Sequence, residues 1–240
     1  MKLILKSVFF VTLFLLIGCS KEVTIDTLNS GNIVEISKVN IPEGTFTMGS
    51  PITEIGRSVN EIQHQVTIAA FQMSKYEITC EQYAVFLNSK GVGSNAIWTS
   101  GPYPTQPLIT SENITGLTYN NNKWNPATGK ANSPMMFVNW FGASSFAQYA
   151  GGRLPTESEW EYAARGNTTT AFNTGNCLTN LQANFYWNFN QTGCPNISIT
   201  FPSTTLTVGT YPANAFGLYD MHGNALEWCA DWFGNYPTVA

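Results

Sequence analysis

The sequence predicts an α+β domain in which a few short helices and strands are separated by long irregular loops. Three segments combine helical spacing with a helix start or stop signal, and two show the alternation of a half-buried strand. Between them lie stretches rich in Gly, Asn, Pro and Thr, at 91–134 and 166–206, where only short strands could form. Because such long loops in a compact domain usually carry function or an ion, we expect the site to lie among them.

The composition indicates one globular domain and excludes a nucleic-acid-binding protein. Of the 240 residues, 43% are hydrophobic, which is enough for a sizeable core, and only 11% are charged. The formal net charge is −4, and no segment concentrates Lys or Arg into a patch that could follow a phosphate backbone. We therefore expect no nucleic-acid partner.

The N-terminus has the pattern of an export signal. Lys2 and Lys6 precede an apolar run, 8–17, that is too short for a comfortable membrane span. The run ends in Leu-Ile-Gly-Cys, which resembles a bacterial lipobox and predicts lipidation of Cys19 after removal of residues 1–18. The alternative is an ordinary signal peptide followed by a coincidental cysteine.

A lipid anchor at Cys19 would place the protein in the bacterial cell envelope, with the membrane as its first partner. Residues 19–37 are polar and have no period, which is typical of a tether, and the domain is expected to occupy 38–240. Ser20 lacks the acidic character that retains many lipoproteins at an inner membrane. We therefore expect the outer membrane or the cell surface as the location.

Two strands are predicted at the start of the domain. The alternation of Phe46 and Met48 with threonines indicates a half-buried strand at 45–49. A second strand is predicted at 65–71, with one buried face formed by Val66, Ile68 and Ala70.

Three helices follow. Thr79 and Gln82 have the spacing of a capping box, and this helix should end near 90–91. The second should run over about 140–150 and stop at the glycines of 151–152. The third has a capping box at Thr156 and Glu159 and should end at Gly166. Around the third helix we expect core aromatic residues and capping or solvated acids, namely Trp160, Tyr162 and Trp228, and Glu157, Glu159 and Glu161.

The remaining cysteines favour one disulfide and no Cys/His metal site. Cys177 and Cys194 flank an Asn-rich loop and are the favoured pair, although with Cys80 and Cys229 three connectivities are possible and all four could be free. No pair has C-x-x-C spacing, and only two histidines exist.

Four segments together resemble the formylglycine-generating enzyme, or sulfatase-modifying factor, family. They are TFTMGS at 45–50, PMMFVNW at 134–140, GRLPTESEWEYAARG at 152–166 and NAFGLYDMHGNALEW at 214–228. The similarity extends in order over about 40–240. It implies a variant of the C-type lectin fold, rich in irregular loops and stabilised by calcium.

The last of these segments contains a candidate calcium site. Asp220 and Glu227 flank a Gly-Asn turn, and two carboxylates with the carbonyls of a tight loop form the all-oxygen set that Ca²⁺ prefers. The resemblance implies that the ligands are the side chains of Asp220 and Glu227 and the carbonyls of Gly223 and Ala225. The alternative is that Asp220 caps a turn and Glu227 pairs with an arginine such as Arg153 or Arg165.

The resemblance also implies a second, weaker calcium site at Asn184 and Phe185. The acidic residue that this site requires downstream would fall at 198–200, where the sequence has no carboxylate.

The family enzyme oxidises a cysteine of a sulfatase to formylglycine with O₂ and a copper ion that two cysteines hold in a C-terminal segment. None of the four cysteines matches that pair, so we expect a C-terminally truncated domain without catalytic residues, and copper only if a continuation supplies the thiols. The expected function is the binding of an unidentified protein or small ligand, or envelope assembly. The alternative is a fragment of a formylglycine-generating oxidase.

Overall fold

Three antiparallel pairs of short strands and three helices form the regular structure of the described residues. In this computed structural model these residues are 34–54, 56–110, 116–185, 194 and 204–234, and they belong to one compact unit, Asn32–Ala240. The predicted signal, Cys19 and most of the tether lie outside them. The elements, in chain order, are β1 (Lys38–Ile41), β2 (Gly44–Met48), β3 (His64–Ile68), β4 (Phe71–Ser74), α1 (Cys80–Ser89), β5 (Leu117–Asn120), β6 (Lys123–Pro126), α2 (Trp140–Tyr149) and α3 (Glu157–Arg165).

The first four strands form two antiparallel pairs. Strand β1 pairs with β4 and β2 pairs with β3. The single strand predicted at 65–71 is therefore wrong: it is divided between β3 and β4, and Ala70, expected on the buried face, is exposed. The partner strands β1 and β2 are separated by residues 42–43, so β3 pairs with β2 and β4 pairs with β1. The alternation of buried and exposed residues is therefore interrupted between β3 and β4.

A tight hairpin lies in the 91–134 stretch, where the sequence allows only short strands. Strands β5 and β6 are joined through Asn121 and Asn122, whose φ angles of 49° and 57° suit a two-residue hairpin turn. Trp124 on β6 is 1% exposed and donates a hydrogen bond of 2.9 Å from its indole to the Val92 carbonyl. The hairpin thereby contributes to the core beside α1.

All three predicted helices are confirmed, and their ends follow from the capping residues. Thr79 begins α1 and Thr156 begins α3, each with a reciprocal capping box. Asn139 caps α2 by accepting a hydrogen bond of 2.8 Å from the Gly142 amide. Gly166 ends α3 with a φ of 53°, the left-handed conformation in which glycine carries no steric penalty.

Two hydrophobic clusters hold these elements. One surrounds α1, with Tyr83, Phe86 and Phe146 among its buried members, and the other surrounds α3, with Tyr162 and Leu218. Because Leu218 and Met221 pack in the α3 cluster, the loop that contains them lies against α3.

Three expectations around α3 need correction or refinement. Trp228 is not in the core: it is 49% exposed, and its indole donates to the Val138 carbonyl. Glu161 is not on a solvated face, because it accepts hydrogen bonds from Arg165 and from the Gly49 amide. Trp160 is only partly buried against the α3 cluster.

Two of the four cysteines in the described residues are paired. Cys177 and Cys194 form a disulfide, the pairing that the sequence favoured, whereas Cys80 and Cys229 are free. None of the described helices has both the length and the apolar character needed to cross a membrane.

Candidate cation site and adjoining cavity

The loop of residues 220–227, here called the acidic loop, turns sharply because several of its residues have positive φ angles. These angles are 55° at Asp220, 96° at Gly223 and 62° at Asn224. Asp220 is fixed by a hydrogen bond of 2.6 Å that its Oδ2 accepts from the Gly209 amide. The buried Leu218 holds the start of the loop on the α3 cluster.

At the other end of the loop, Glu227 is bound by an aromatic residue of α3. The Trp160 indole nitrogen donates a hydrogen bond of 2.6 Å to Glu227 Oε2. The alternative that Glu227 pairs with Arg153 or Arg165 does not hold, because these arginines bind Glu159 and Glu161 at 2.7 and 2.6 Å.

Asn224 connects the acidic loop to three other segments. Its amide donates a hydrogen bond of 2.6 Å to the Asn184 carbonyl, and its Oδ1 accepts one of 2.9 Å from the Leu206 amide. Its Nδ2 donates one of 2.7 Å to Glu77 Oε2. A side chain at Gly223 would collide with the Asn184 carbonyl, so this close approach requires glycine.

The residues expected for a second calcium site are therefore part of the same cluster. Asn184 is 9% exposed, and its Nδ2 donates to Asn224 Oδ1 at 3.0 Å and to the Thr204 carbonyl at 3.2 Å. Phe185 follows it beside Gly223. The downstream part of that predicted site, 198–200, lies outside the described residues.

Sequence reasoning missed Glu77, which precedes α1. It is 8% exposed, and within the described part of the chain its Oε1 has no hydrogen-bond partner. Burial raises the pKa of Glu77 to about 8, and the nearby Glu227 and Asp220 carboxylates add to the shift, although the hydrogen bond from Asn224 and the nearby Ala225 amide oppose it. An acid between Tyr76 and Ile78, directly before a capping box, is the only local signal for it.

The charge of Asp220 raises the pKa of both Glu77 and Glu227, and the charge of Glu227 also raises that of Glu77. Burial raises the pKa of Asp220, and burial together with the charge of Asp220 raises the pKa of Glu227. Neither ion pair given above involves any of the three. A bound cation would stabilise the ionised forms of these carboxyl groups and lower their pKa values.

The residues present fit a hard cation held by mixed ligands. No group of three or more His, Cys, Asp or Glu side chains is arranged to hold a metal ion in the described ranges, so carboxylates alone do not form the site. The set implied by the sequence uses two carboxylates, Asp220 and Glu227, together with the carbonyls of Gly223 and Ala225. The orphaned oxygen of Glu77 beside this set is the feature of the structure that favours a cation.

A cavity of about 870 Å³ adjoins the acidic loop. Its charged lining residues are Lys38, Glu77, Arg153, Glu159 and Glu227. Glu227 lines this cavity and is exposed to solvent. The rest of the lining is mainly apolar and includes Phe71, Met73, Met135, Met136, Phe146, Ala147, Leu154 and Trp228.

The free cysteines do not fit a copper site. Neither Cys80 nor Cys229 is among the described residues that line the cavity. The Cys80 thiol is fully buried, donates to the Pro134 carbonyl at 3.6 Å, and lies 2.6 Å from where a Cβ on Gly116 would be. Burial raises the pKa of Cys80 to about 11, which opposes formation of the thiolate that Cu(I) requires.

Comparison with known proteins identifies the family. Residues 30–238 match the family described as "Sulfatase-modifying factor enzyme 1-like domain". The chain is 32% identical to the serine/threonine-protein kinase pkn1 of Chlamydia caviae, over 82% of this chain and 28% of that protein. It is 29% identical to the formylglycine-generating enzyme of Mus musculus, over 92% of this chain and 65% of that protein.

A solved structure supports the same assignment. The structure of PvdO from Pseudomonas aeruginosa superposes with a TM-score of 0.59 at 28% identity, covering 82% of this chain and 71% of that one. The chain spans less than two thirds of the length of the two curated relatives above. It belongs to the sulfatase-modifying factor family, and its α+β architecture is the C-type-lectin-like fold of that family.

Proposed function

We propose that this domain is a non-catalytic binding module of a lipid-anchored envelope protein, with Ca²⁺ as a structural ion in the acidic loop. The observation that carries the proposal is the cavity: it is large and mainly apolar, and no thiol is among the described residues that line it. A concave apolar surface with a few polar groups at its edge is the usual form of a ligand site.

The lining favours an apolar ligand or an apolar segment of a partner protein. The lining includes Met73, Met135, Met136 and Met221, whose flexible thioether side chains adapt to ligands of different shape. The carboxyl groups of Glu77 and Glu227 lie together beside the acidic loop, so the calcium site and the ligand site would share a wall.

The alternative, a formylglycine-generating oxidase, requires two thiolates, and the free cysteines of the described residues are Cys80 and Cys229. The burial of Cys80 and its hydrogen bond to Pro134 argue against its taking part in such a pair. The similarity to the mouse enzyme therefore supports the family and the fold rather than the oxidation.

The binding proposal can be tested with Nile red, a neutral apolar dye. Wild-type protein should increase the fluorescence of the dye, and Ala147→Trp, which places a large side chain in the cavity, should reduce the increase several-fold. Gln148→Trp is the matched control, because Gln148 is exposed on the same helix and does not line the cavity. An equal response from the two variants would overturn the assignment of the cavity as a binding site.

The oxidase can be tested directly. Protein loaded with Cu(I) is incubated in air with a cysteine-containing peptide, and mass spectrometry measures conversion of the cysteine to an aldehyde. We expect none above the level given by free Cu(I). Aldehyde formation that disappears in Cys229→Ser would overturn the non-catalytic assignment.

A further inference from the structure

We propose that Glu77 is a positioning residue of the cation site: it holds the acidic loop through Asn224 and places a third carboxylate beside Asp220 and Glu227. This inference rests on the calcium site proposed above. It concerns a residue outside the ligand set that the family resemblance implies.

Glu77 is connected to the acidic loop through Asn224. Glu77 Oε2 accepts a hydrogen bond of 2.7 Å from Asn224 Nδ2, across 147 residues of sequence. Asn224 lies between Gly223 and Ala225, whose carbonyls are the candidate backbone ligands. Fixing the Asn224 side chain therefore fixes the two peptide groups that would face the cation.

The other carboxyl oxygen of Glu77, Oε1, is unused. Glu77 is 8% exposed, and its Oε1 is buried without a hydrogen-bond partner in the described part of the chain. A glutamine at this position would accept the same hydrogen bond from Asn224 but could not become an anion when a cation binds. A structural acceptor alone therefore does not account for a carboxylate, whereas a cation in the neighbouring loop does.

Glu77 acts on the cation site indirectly and not as one of its direct ligands. Since no three acidic side chains are arranged to hold a metal ion in the described ranges, Glu77 does not complete a carboxylate cage. It lies close enough to Asp220 and Glu227 for their charges to act on it, and it lines the same cavity as Glu227. Its contribution is to loop geometry and to the local field, as for residues that support the direct ligands of a metal.

The test uses the full chain, purified in detergent, and measures Ca²⁺ binding by isothermal titration calorimetry. Glu77→Gln keeps the hydrogen-bond acceptor but cannot supply a carboxylate to the cation, and it should weaken Ca²⁺ binding roughly 10- to 100-fold. Without calcium its thermal midpoint should match that of the wild type, because the amide accepts the same hydrogen bond from Asn224. Glu81→Gln, an exposed acid in the first turn of α1, is the matched control and should bind Ca²⁺ as the wild type does.

A second readout uses Tb³⁺ as a substitute for Ca²⁺. Trp160 binds Glu227 directly, so excitation of tryptophan should sensitise Tb³⁺ luminescence in the wild type, and Glu77→Gln should require a correspondingly higher Tb³⁺ concentration. Asn224→Ala, which keeps Glu77 but removes its contact with the loop, should also weaken binding.

The outcomes separate the two proposals. If the wild type binds neither ion, both the calcium site and the role of Glu77 are wrong. If the wild type binds Ca²⁺ and Glu77→Gln binds it equally well, only the role of Glu77 is overturned. A Glu77→Gln chain that fails to fold in chelator would also contradict the inference, because the amide is expected to leave the calcium-free fold intact.

Discussion

Trp160 on α3 donates a hydrogen bond of 2.6 Å to Glu227 at the end of the acidic loop, 67 residues later in the chain. The contact links the helix of one family segment to the candidate cation ligand of another. It explains why a tryptophan with a polar ring nitrogen lies at this position: the ring packs on the α3 cluster while the nitrogen orients a carboxyl group.

Removing this hydrogen bond should destabilise the domain through Glu227. Trp160→Phe should lower the free energy of unfolding by about 1–2 kcal/mol, since it removes a hydrogen bond to a group that can carry charge. The measurement is a double-mutant cycle of Trp160→Phe and Glu227→Gln by urea unfolding in chelator. Purely additive effects of the two substitutions would show that the contact contributes nothing to stability.

Asn214 should be among the most sensitive polar residues. It is 8% exposed, its Nδ2 donates to the Ala163 and Ala164 carbonyls, and its Oδ1 accepts from the Phe216 and Leu218 amides. Asn214→Ala leaves these buried groups without partners and should cost about 3 kcal/mol.

The comparison for Asn214 is Asn40→Ala, which removes an exposed side-chain contact with Gln72 on the paired strand. That change should cost about 0.5 kcal/mol or less. Equal losses from the two variants in urea unfolding would contradict the assignment of Asn214 as a buried junction between α3 and the loop that precedes the acidic loop.

The pH dependence of stability should include a contribution from Glu159. Hydrogen bonds from Arg153 hold the pKa of Glu159 below its usual range, even though partial burial opposes this. A depressed folded-state pKa contributes stability that is present above the unfolded value of 4.5 and is lost as the pH falls through the folded value.

Glu159→Gln should therefore be less stable than the wild type by about 1 kcal/mol at pH 7, because Arg153 is largely exposed and its pairing is screened by solvent. The difference should shrink as the pH is lowered below 4.5 and vanish below the folded pKa. Urea unfolding at pH 7, 5 and 3 measures it, with the exposed Glu43→Gln as control. A difference that stays constant across this range would rule out a contribution from ionisation of Glu159.

The sequence could predict elements whose signals are local. The capping boxes at Thr79 and Thr156 and the glycine after α3 determine helix ends through neighbouring residues, and these helices are confirmed. The strand at 65–71 failed because its break depends on a turn in the partner strand. The hairpin at Asn121 and Asn122 was missed because its asparagines occur in a stretch rich in the same residue type.

The candidate site shows the same division. Asp220 and Glu227 are close in sequence and flank a visible Gly-Asn turn, so they could be proposed as a pair. Glu77 contacts the acidic loop across 147 residues, and no spacing rule connects positions so far apart. Trp228 was misplaced because hydrophobicity alone does not distinguish a core residue from one that lines a cavity.

Lipidation at Cys19 is expected from the short apolar run that ends in Leu-Ile-Gly-Cys. Metabolic labelling of a bacterial host with a fatty-acid analogue should mark the wild type and not Cys19→Ala. Membrane fractionation of the labelled protein then tests the outer-membrane location. Equal labelling of wild type and variant would be incompatible with an anchor at this residue.

Calcium should stabilise the domain through the acidic loop. A ligand that binds only the native state adds RT ln(1 + [L]/Kd), which is about 2.7 kcal/mol at a hundredfold excess over Kd. The thermal midpoint of the full chain should therefore fall when chelator is added. Asp220→Ala and Glu227→Ala should abolish that fall, because each removes a carboxylate from the candidate ligand set. Asp231→Ala should retain it, because that carboxylate binds the Glu157 amide at the start of α3.

A folded wild-type protein whose midpoint is the same with calcium and with chelator would falsify the calcium assignment. Asp220 would then be a turn residue held by Gly209, and Glu227 a hydrogen-bond partner of Trp160 alone.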